Sequence, residues 1–488
     1  LAEIQIEVDN VQAAWQWATT RRHLGWLAQG MEGLGHFYWS SGRLKEGDAA
    51  FGAAVDAAAA AGGAQTARQR RVWASALAWE AELGFEQRLG GTECVEQLRQ
   101  SLALLEGLER RGCDVRQERA FALRLLGHVQ GELGDWEKAR DPLLQSLTLY
   151  QELGDRWGMA DSLNQLTQTA RTQGDYAEAA QLRRQQLDLL RALGARREMA
   201  DALHLASFLA LRRGALDEAE HLVRESIALS REPGAERWLA FGLMILTWVT
   251  VFRGEYDQAT AAAEESLSLC AGLGARHTLC HTLIISGEAN LHMGHYGQAR
   301  AALQRALTLS HEMTGNWEAG LALRSLGELA LAEGKLQEAS HHLRESVARL
   351  SGTSHRVDAG WSCAWLGVAA LCLGDLVQAR RNLAEALRMA DRCRDYPIAV
   401  HALPAAALLM AMEGRGMRAV QLWALASRYP HVARSSFFNC LVGQPVDAIA
   451  ARLPPEAVRG RAETAAPTGE QAGGVWAVVQ ELLAELDG

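Results

Sequence analysis

Glu288 and Glu328 stand forty residues apart at equivalent places in a repeating pattern, a relation that can set two carboxylates side by side for acid–base work. His277, Cys280 and His281 fall at i, i+3 and i+4, so two or three of them share a helical face and could meet one metal ion. Neither arrangement goes further. A repetitive chain yields paired carboxylates wherever a repeat carries Glu, and the metal set has no fourth ligand at suitable spacing. Both are read as packing and groove polarity, and no metal, cofactor or catalytic residue is assigned. No Gly-x-x-x-x-Gly-Lys-[Ser/Thr] phosphate loop, His-Glu-x-x-His pair or Gly-x-Ser-x-Gly elbow occurs. What stands out instead is apolar. "AFGLMILTWVTVF", residues 240–252, carries no charge, is too short for a bilayer, which needs about 20 apolar residues, and lacks the polar face of an amphipathic helix.

The elements that position these residues follow a ruler. "GDWEKA", "GDYAEA", "GALDEA", "GEYDQA", "GHYGQA", "GKLQEA", "GDLVQA" and "GRGMRA" begin at Gly134, Gly174, Gly214, Gly254, Gly294, Gly334, Gly374 and Gly414, and each ends in Ala. Eleven residues before each glycine stands Leu123, Leu163, Leu203, Leu243, Leu283, Leu323, Cys363 or Leu403, and seven before stands a small residue, Thr at the largest. The spacing predicts two antiparallel helices per unit, broken at the Gly, with Asp135, Asp175 and Asp375 as caps of the second helix. Two weaker copies precede these eight: one around Gly42, one over residues 72–108 with an inserted "GFEQRLGGTE".

This pattern resembles the tetratricopeptide repeat in a form longer than usual. The resemblance implies an all-α fold: a right-handed α-solenoid superhelix of about ten helix pairs over residues 28–428. A capping helix over 1–27 precedes it. A helical cap over 429–488 follows, with a linker near 462–474 and breaks at Pro454 and Pro455. In such arrays the first helix of each pair lines the concave face. The row facing inward includes Asp201, His204 and Phe208, then Phe241, Met244, Trp248 and Phe252, then His281 and Glu288, then Arg324 and Glu328, then Trp361. These twelve are the expected ligand-binding residues, because a concave apolar floor with a few convergent polar groups is how ligand sites are built. The other reading of the same row is packing against neighbouring helices or against the chain's own C-terminal cap.

"EVDNVQAAWQWA", "GHFYWSSGRLKEG" and "RAVQLWALASRYP" resemble the junctions and tails of STAND-class signal-transducing ATPases related to the MalT and AfsR regulators. The resemblance implies a sensor that binds an inducer in its groove and relieves autoinhibition of an ATPase module upstream in the same polypeptide. The alternative is a constitutive scaffold for a protein partner. The first residue, Leu1, is not Met, which fits part of a longer polypeptide. A net charge of −9 argues against nucleic acid as a partner. Eight cysteines with no Cys-x-x-Cys pair, and no apolar span or signal segment, fit a cytoplasmic protein with free thiols and no membrane contact. Without a phosphate loop, the chain is expected not to hydrolyse ATP. A phosphate-release assay checks this, and turnover abolished by a point substitution within residues 1–488 would refute it.

Overall fold

The computed structural model describes residues 7–60, 66–85, 91–232, 234–353, 355–453 and 473–487. All eight ruler glycines have a left-handed φ, from +67° at Gly254 to +85° at Gly134, which only glycine adopts without strain. The turn geometry requires it. The amide of Asp135 reaches back to the Gln130 carbonyl (2.9 Å) and that of Gly134 to Gly131 (2.9 Å), closing the helix end in a Schellman turn. Of the three expected caps, Asp175 and Asp375 accept from the amides of Glu178 and Gln378, each at 2.9 Å. Asp135 makes no such cap; its carboxylate lies 2.9 Å from Lys138 Nζ instead.

Among the described residues there are ten helix pairs. They begin with Leu24–Ser40 and Leu44–Ala59, and then Ala67–Phe85 and Thr92–Glu109. The eight ruler units run from Arg116–Glu132 and Trp136–Leu153 to Tyr396–Met412 and Gly416–Ala426. Two helices of a pair approach so closely that a Cβ on Gly287 would lie 2.6 Å from Leu303, which explains the run of small residues seven before the ruler glycine. The row eleven before it is buried throughout, and so is the Ala five after it. A polar feature accompanies the seam. Ser146, Ser226, Ser266 and Ser346 are buried and donate to carbonyls 26 residues earlier, at 2.6–2.8 Å, fastening each second helix to the first helix of its own pair.

The chain divides into two compact units within the helix Arg156–Gln173, at Leu1–Thr169 and Ala170–Gly488. The first unit has its core around Trp15, Phe37, Tyr38, Phe51 and Trp79, and a second cluster around Leu98, Leu105 and Leu125. The second is a stack of helix pairs with one continuous apolar core that also takes in its C-terminal elements. These are Pro430–Ala433, Ser436–Phe438, a π-helical turn at Asn439–Gly443, Gln444–Ala450 and Gly473–Asp487. The last of them buries Val475, Val479 and Leu482, while Arg418 lies 2.6 Å from Glu485 and 3.0 Å from Glu481. The expected breaks at Pro454 and Pro455, and the linker as far as residue 472, lie outside the described residues, as do residues 86–90 of the inserted loop.

Leu283 is 3% exposed in the core row. Leu283→Ala is expected to cost about 2–5 kcal/mol by leaving a cavity. Urea denaturation reads it; a loss within the roughly 0.5 kcal/mol typical of surface changes would mean the core row is misassigned.

Candidate functional site

Helices that begin "ERWLAFGLMILTWVTVF", "AGWSCAWLGVAALC" and "YPIAVHALPAAALLMAM" carry almost no charge past their first turn, so they must hide more than one face. In the second unit they do. Its C-terminal elements pack onto the inner row of its own repeat helices. A Cβ on Gly254 would lie 2.6 Å from the Pro430 carbonyl, and Tyr256 donates to the His431 carbonyl at 2.6 Å. Phe252 is surrounded by His431, Trp361, His401 and Tyr396, with ring centroids 4.8–6.2 Å away.

This corrects the expectation of an open row. His204, Met244, Phe252, Glu288, Arg324, Glu328 and Trp361 are all buried, none more than 5% exposed. Arg324 does not offer its fork outward. It is paired with Glu288, lies 3.5 Å from Glu328 and stacks 3.8 Å from the centroid of Trp361. Ser325 donates to the same Glu288 oxygen at 2.6 Å. Burial pushes the Glu328 carboxyl well above the usual range, against Arg324, and Glu288 adds to the push. Cys280 donates to the Ala306 carbonyl, and His277 and His281 both face Glu318, at 2.9 and 3.8 Å.

Asp201, Phe208, Phe241, Trp248 and His281 remain half-buried. Phe208 and Trp248 stack at 5.5 Å, Phe241 meets the edge of His204 at 5.0 Å, and the Trp248 indole N–H has no partner. Beside them Trp317 stacks on His355 at 4.0 Å and lies 4.6 Å from His281. The aromatic face sits on a buried ionic floor. Arg212 donates to Asp358 and to the Tyr176 hydroxyl at 2.8 Å each, and lies 2.5 Å from Asp395. Burial works to raise the Asp358 carboxyl, but Arg212, His355 and the Trp317 N–H outweigh it and hold it low. The same burial keeps Asp395 above the usual range despite Arg212. The cleft over this floor measures only about 10 Å³, room for roughly one water.

A larger cavity, about 370 Å³, opens nearby between Gln173–Ala177, Arg213, Arg392–Arg394 and Trp476. Its volume falls in the range of small-molecule sites, about 300–1,000 Å³. Sequence reasoning missed it because Trp476 and the arginines lie outside the repeat motif. Arg212 stood on the inner row, but its partners Asp358 and Asp395 sit in turns that the repeat pattern does not describe.

Compared with protein-family profiles, residues 118–192 match the tetratricopeptide repeat. Residues 118–192 carry tetratricopeptide repeats. Among solved structures it is similar to a Rap protein complexed with Competence and Sporulation Factor, at 10% identity, over 76% of this chain and 100% of that one (TM-score 0.51). It is also similar to the apo form of the quorum sensor NprR from B. thuringiensis, at 13% identity over 79% and 99% of the two chains (TM-score 0.51). A STAND protein with a tetratricopeptide repeat sensor from Pyrococcus horikoshii aligns at 11% identity over 90% and 70% (TM-score 0.43). A search of curated proteins found no match. Among the described residues no helix is long and apolar enough to cross a membrane.

His204 supplies a pH handle. Both its ring nitrogens lack partners, and burial pulls its pKa from 6.5 down to about 3. A depressed folded pKa means the unfolded chain takes up the proton first. The stabilisation is complete above pH 6.5 and is lost as pH falls towards the folded value, at about 1.4 kcal/mol per pH unit. His204→Leu removes this term. Its denaturation midpoint relative to wild type should therefore rise steadily from pH 7 to pH 4.5; a constant difference would show that His204 is not held neutral.

Proposed function

We propose that this chain is the ligand-sensing regulatory part of a STAND-class ATPase, with an inducer engaging the half-buried aromatic face of the second unit. The observation that carries this reading is the aromatic set Phe208, Phe241, Trp248 and Trp317, left half-buried together with Asp201 and His281 while the other seven expected binding residues are buried. Aromatic rings with one open side offer apolar area at little entropic cost. Beneath them the Arg212 cluster joins repeat helices to residues 358 and 395 of later repeats. A ligand touching Phe208 or Trp317 therefore presses on groups that also hold the C-terminal half of the unit in place. That coupling suits a sensor better than a constitutive scaffold, which needs a continuous accessible strip for backbone capture.

On this reading the inducer biases how the C-terminal elements sit on the repeats, and that change relieves autoinhibition of an ATPase module upstream. The Rap protein complexed with Competence and Sporulation Factor and the quorum sensor NprR lend the reading a parallel in fold. The ATPase itself rests on the resemblance of the chain's two ends.

The test begins with fractions of small molecules and peptides from host cells. Species retained by the protein are identified by native mass spectrometry and titrated calorimetrically. Trp248→Ala should weaken binding by about 2 kcal/mol or more, as loss of an aromatic anchor does, with the melting temperature nearly unchanged. Unaltered affinity with a sharply lowered melting temperature would show that Trp248 only packs, and the reading would fail.

A further inference from the structure

His292, His401 and His431 come from three separate elements and meet inside the second unit. One ring nitrogen of each lies within 4.8 Å of the others, and all three side chains are buried. Their outer nitrogens are already committed. His401 Nδ1 lies 2.8 Å from the Pro397 carbonyl, and His431 Nδ1 lies 3.1 Å from the Val251 carbonyl. A carbonyl only accepts, so both Nδ1 atoms carry the proton. In the neutral rings both Nε2 atoms are then bare, yet they face each other at 3.2 Å. Two lone pairs at that distance repel unless a cation lies between them.

Two cations fit. A proton would make one ring an imidazolium, a charge that no anionic group among the described residues touches. A metal ion wants the neutral imidazole. Two nitrogens each about 2.0–2.1 Å from a tetrahedral zinc are about 3.3 Å apart, close to the observed 3.2 Å. The outer contacts also match. Metal-bound histidines almost always donate the other ring N–H to a carbonyl or carboxylate, which fixes the tautomer. His292 Nδ1 lies 2.8 Å from the Ser435 hydroxyl, which can donate or accept. Nitrogen separations reach 4.8 Å, so the His292 ring has to swing inward for all three to touch one ion. The rings of Phe252, Trp361 and Phe438 exclude water around the cluster.

We propose that His292, His401 and His431 bind one borderline divalent metal ion of the zinc class, which fastens Pro430–Ala433 to the repeat helices Arg276–Met293 and Tyr396–Met412. The site is structural, and it is filled while the chain folds, because the closed aromatic shell leaves no path to it afterwards.

The full chain is unfolded in denaturant with chelator, refolded with or without Zn(II), desalted and assayed for metal and melting temperature. The expected result is about one tightly held zinc per chain, the count of a single three-histidine site, and a melting temperature higher than that of the metal-free refolded protein. Refolding with Co(II) should give the visible absorption of a low-coordinate nitrogen-ligated ion. His401→Gln and His431→Gln should each lose the metal and the absorption, whereas His341→Gln with His342→Gln, altering neighbouring surface rings, should lose neither. The wild-type comparison stands even if the core variants fold poorly. Zinc retention no greater than that of the core variants, an aqueous Co(II) spectrum, or metal lost on changing His341 and His342 would each overturn the proposal.

Discussion

Each helix pair has apolar surface on more sides than it can cover itself, and every feature of the second unit follows from where the surplus goes. Along the stack it goes to the next pair, through Leu203, Leu243, Leu283 and their equivalents. That contact is local and repetitive, and close packing sets its period. Gly287 and Gly327 admit Leu303 and Leu343 to the helix backbone, and Ser146, Ser226, Ser266 and Ser346 tie the two helices of their own pairs together. A stack built only this way would keep a bare inner surface. Here the inner rows of the uncharged helices are covered by the chain's own C-terminal elements, through Phe252, Trp361, Trp365, Phe437 and Phe438.

The division between what could and could not be read from the sequence runs along the same line. The forty-residue period, the helix pairs and the core row were legible because they depend on neighbours at fixed chain separation. The fate of the inner row was not. Phe252 and Trp248 occupy the same face of one helix and are both large and apolar, yet one is sealed and the other half-open. The difference is made by His431 and Pro430, some 180 residues away in a segment with no periodicity. Arg324 shows the same limit. An inward arginine next to carboxylates reads equally well as a ligand fork and as a buried ion pair, and only the covering elements decide between them. One signal was available: the helices Ala359–Cys372 and Tyr396–Met412 carry no charged residue, and a helix apolar on all sides is one enclosed on all sides.

The covering is not purely apolar, and this gives it a definite position. Three polar clusters are enclosed within the second unit: Arg212 with Tyr176, Asp358 and Asp395; Arg324 with Glu288 and Glu328; and the three histidines with Ser435. Enclosed ion pairs add little net stability compared with well-packed apolar side chains, because desolvation offsets most of the attraction. They do penalise misplacement. Aromatic rings alone tolerate sliding by an ångström, since dispersion is non-directional. A guanidinium moved the same distance from its carboxylates is an uncompensated buried charge. The repeat helices joined by Arg212 and Arg324 are therefore held in one register, and the C-terminal elements meet them through the histidine cluster and Ser435.

A single register of this kind is what the proposed sensing role requires. A ligand shifts an equilibrium only by its differential affinity for the two states, so the states must differ at the surface it touches. The half-buried rings of Phe208, Trp248 and Trp317 lie at that border: Arg212 sits 5.6 Å from the Phe208 ring and Asp358 accepts from the Trp317 indole at 2.9 Å. Under the proposed function, a ligand wedged between these rings would move the Arg212 cluster directly. The histidine cluster includes none of these residues; His431 is bonded to Val251 and Tyr256, the residues flanking the turn after Phe252. A cation held there would add to the stability of the seated register without touching the ligand face. On the two proposals together, the strength of the seating and the selectivity of the opening would be set by different residues.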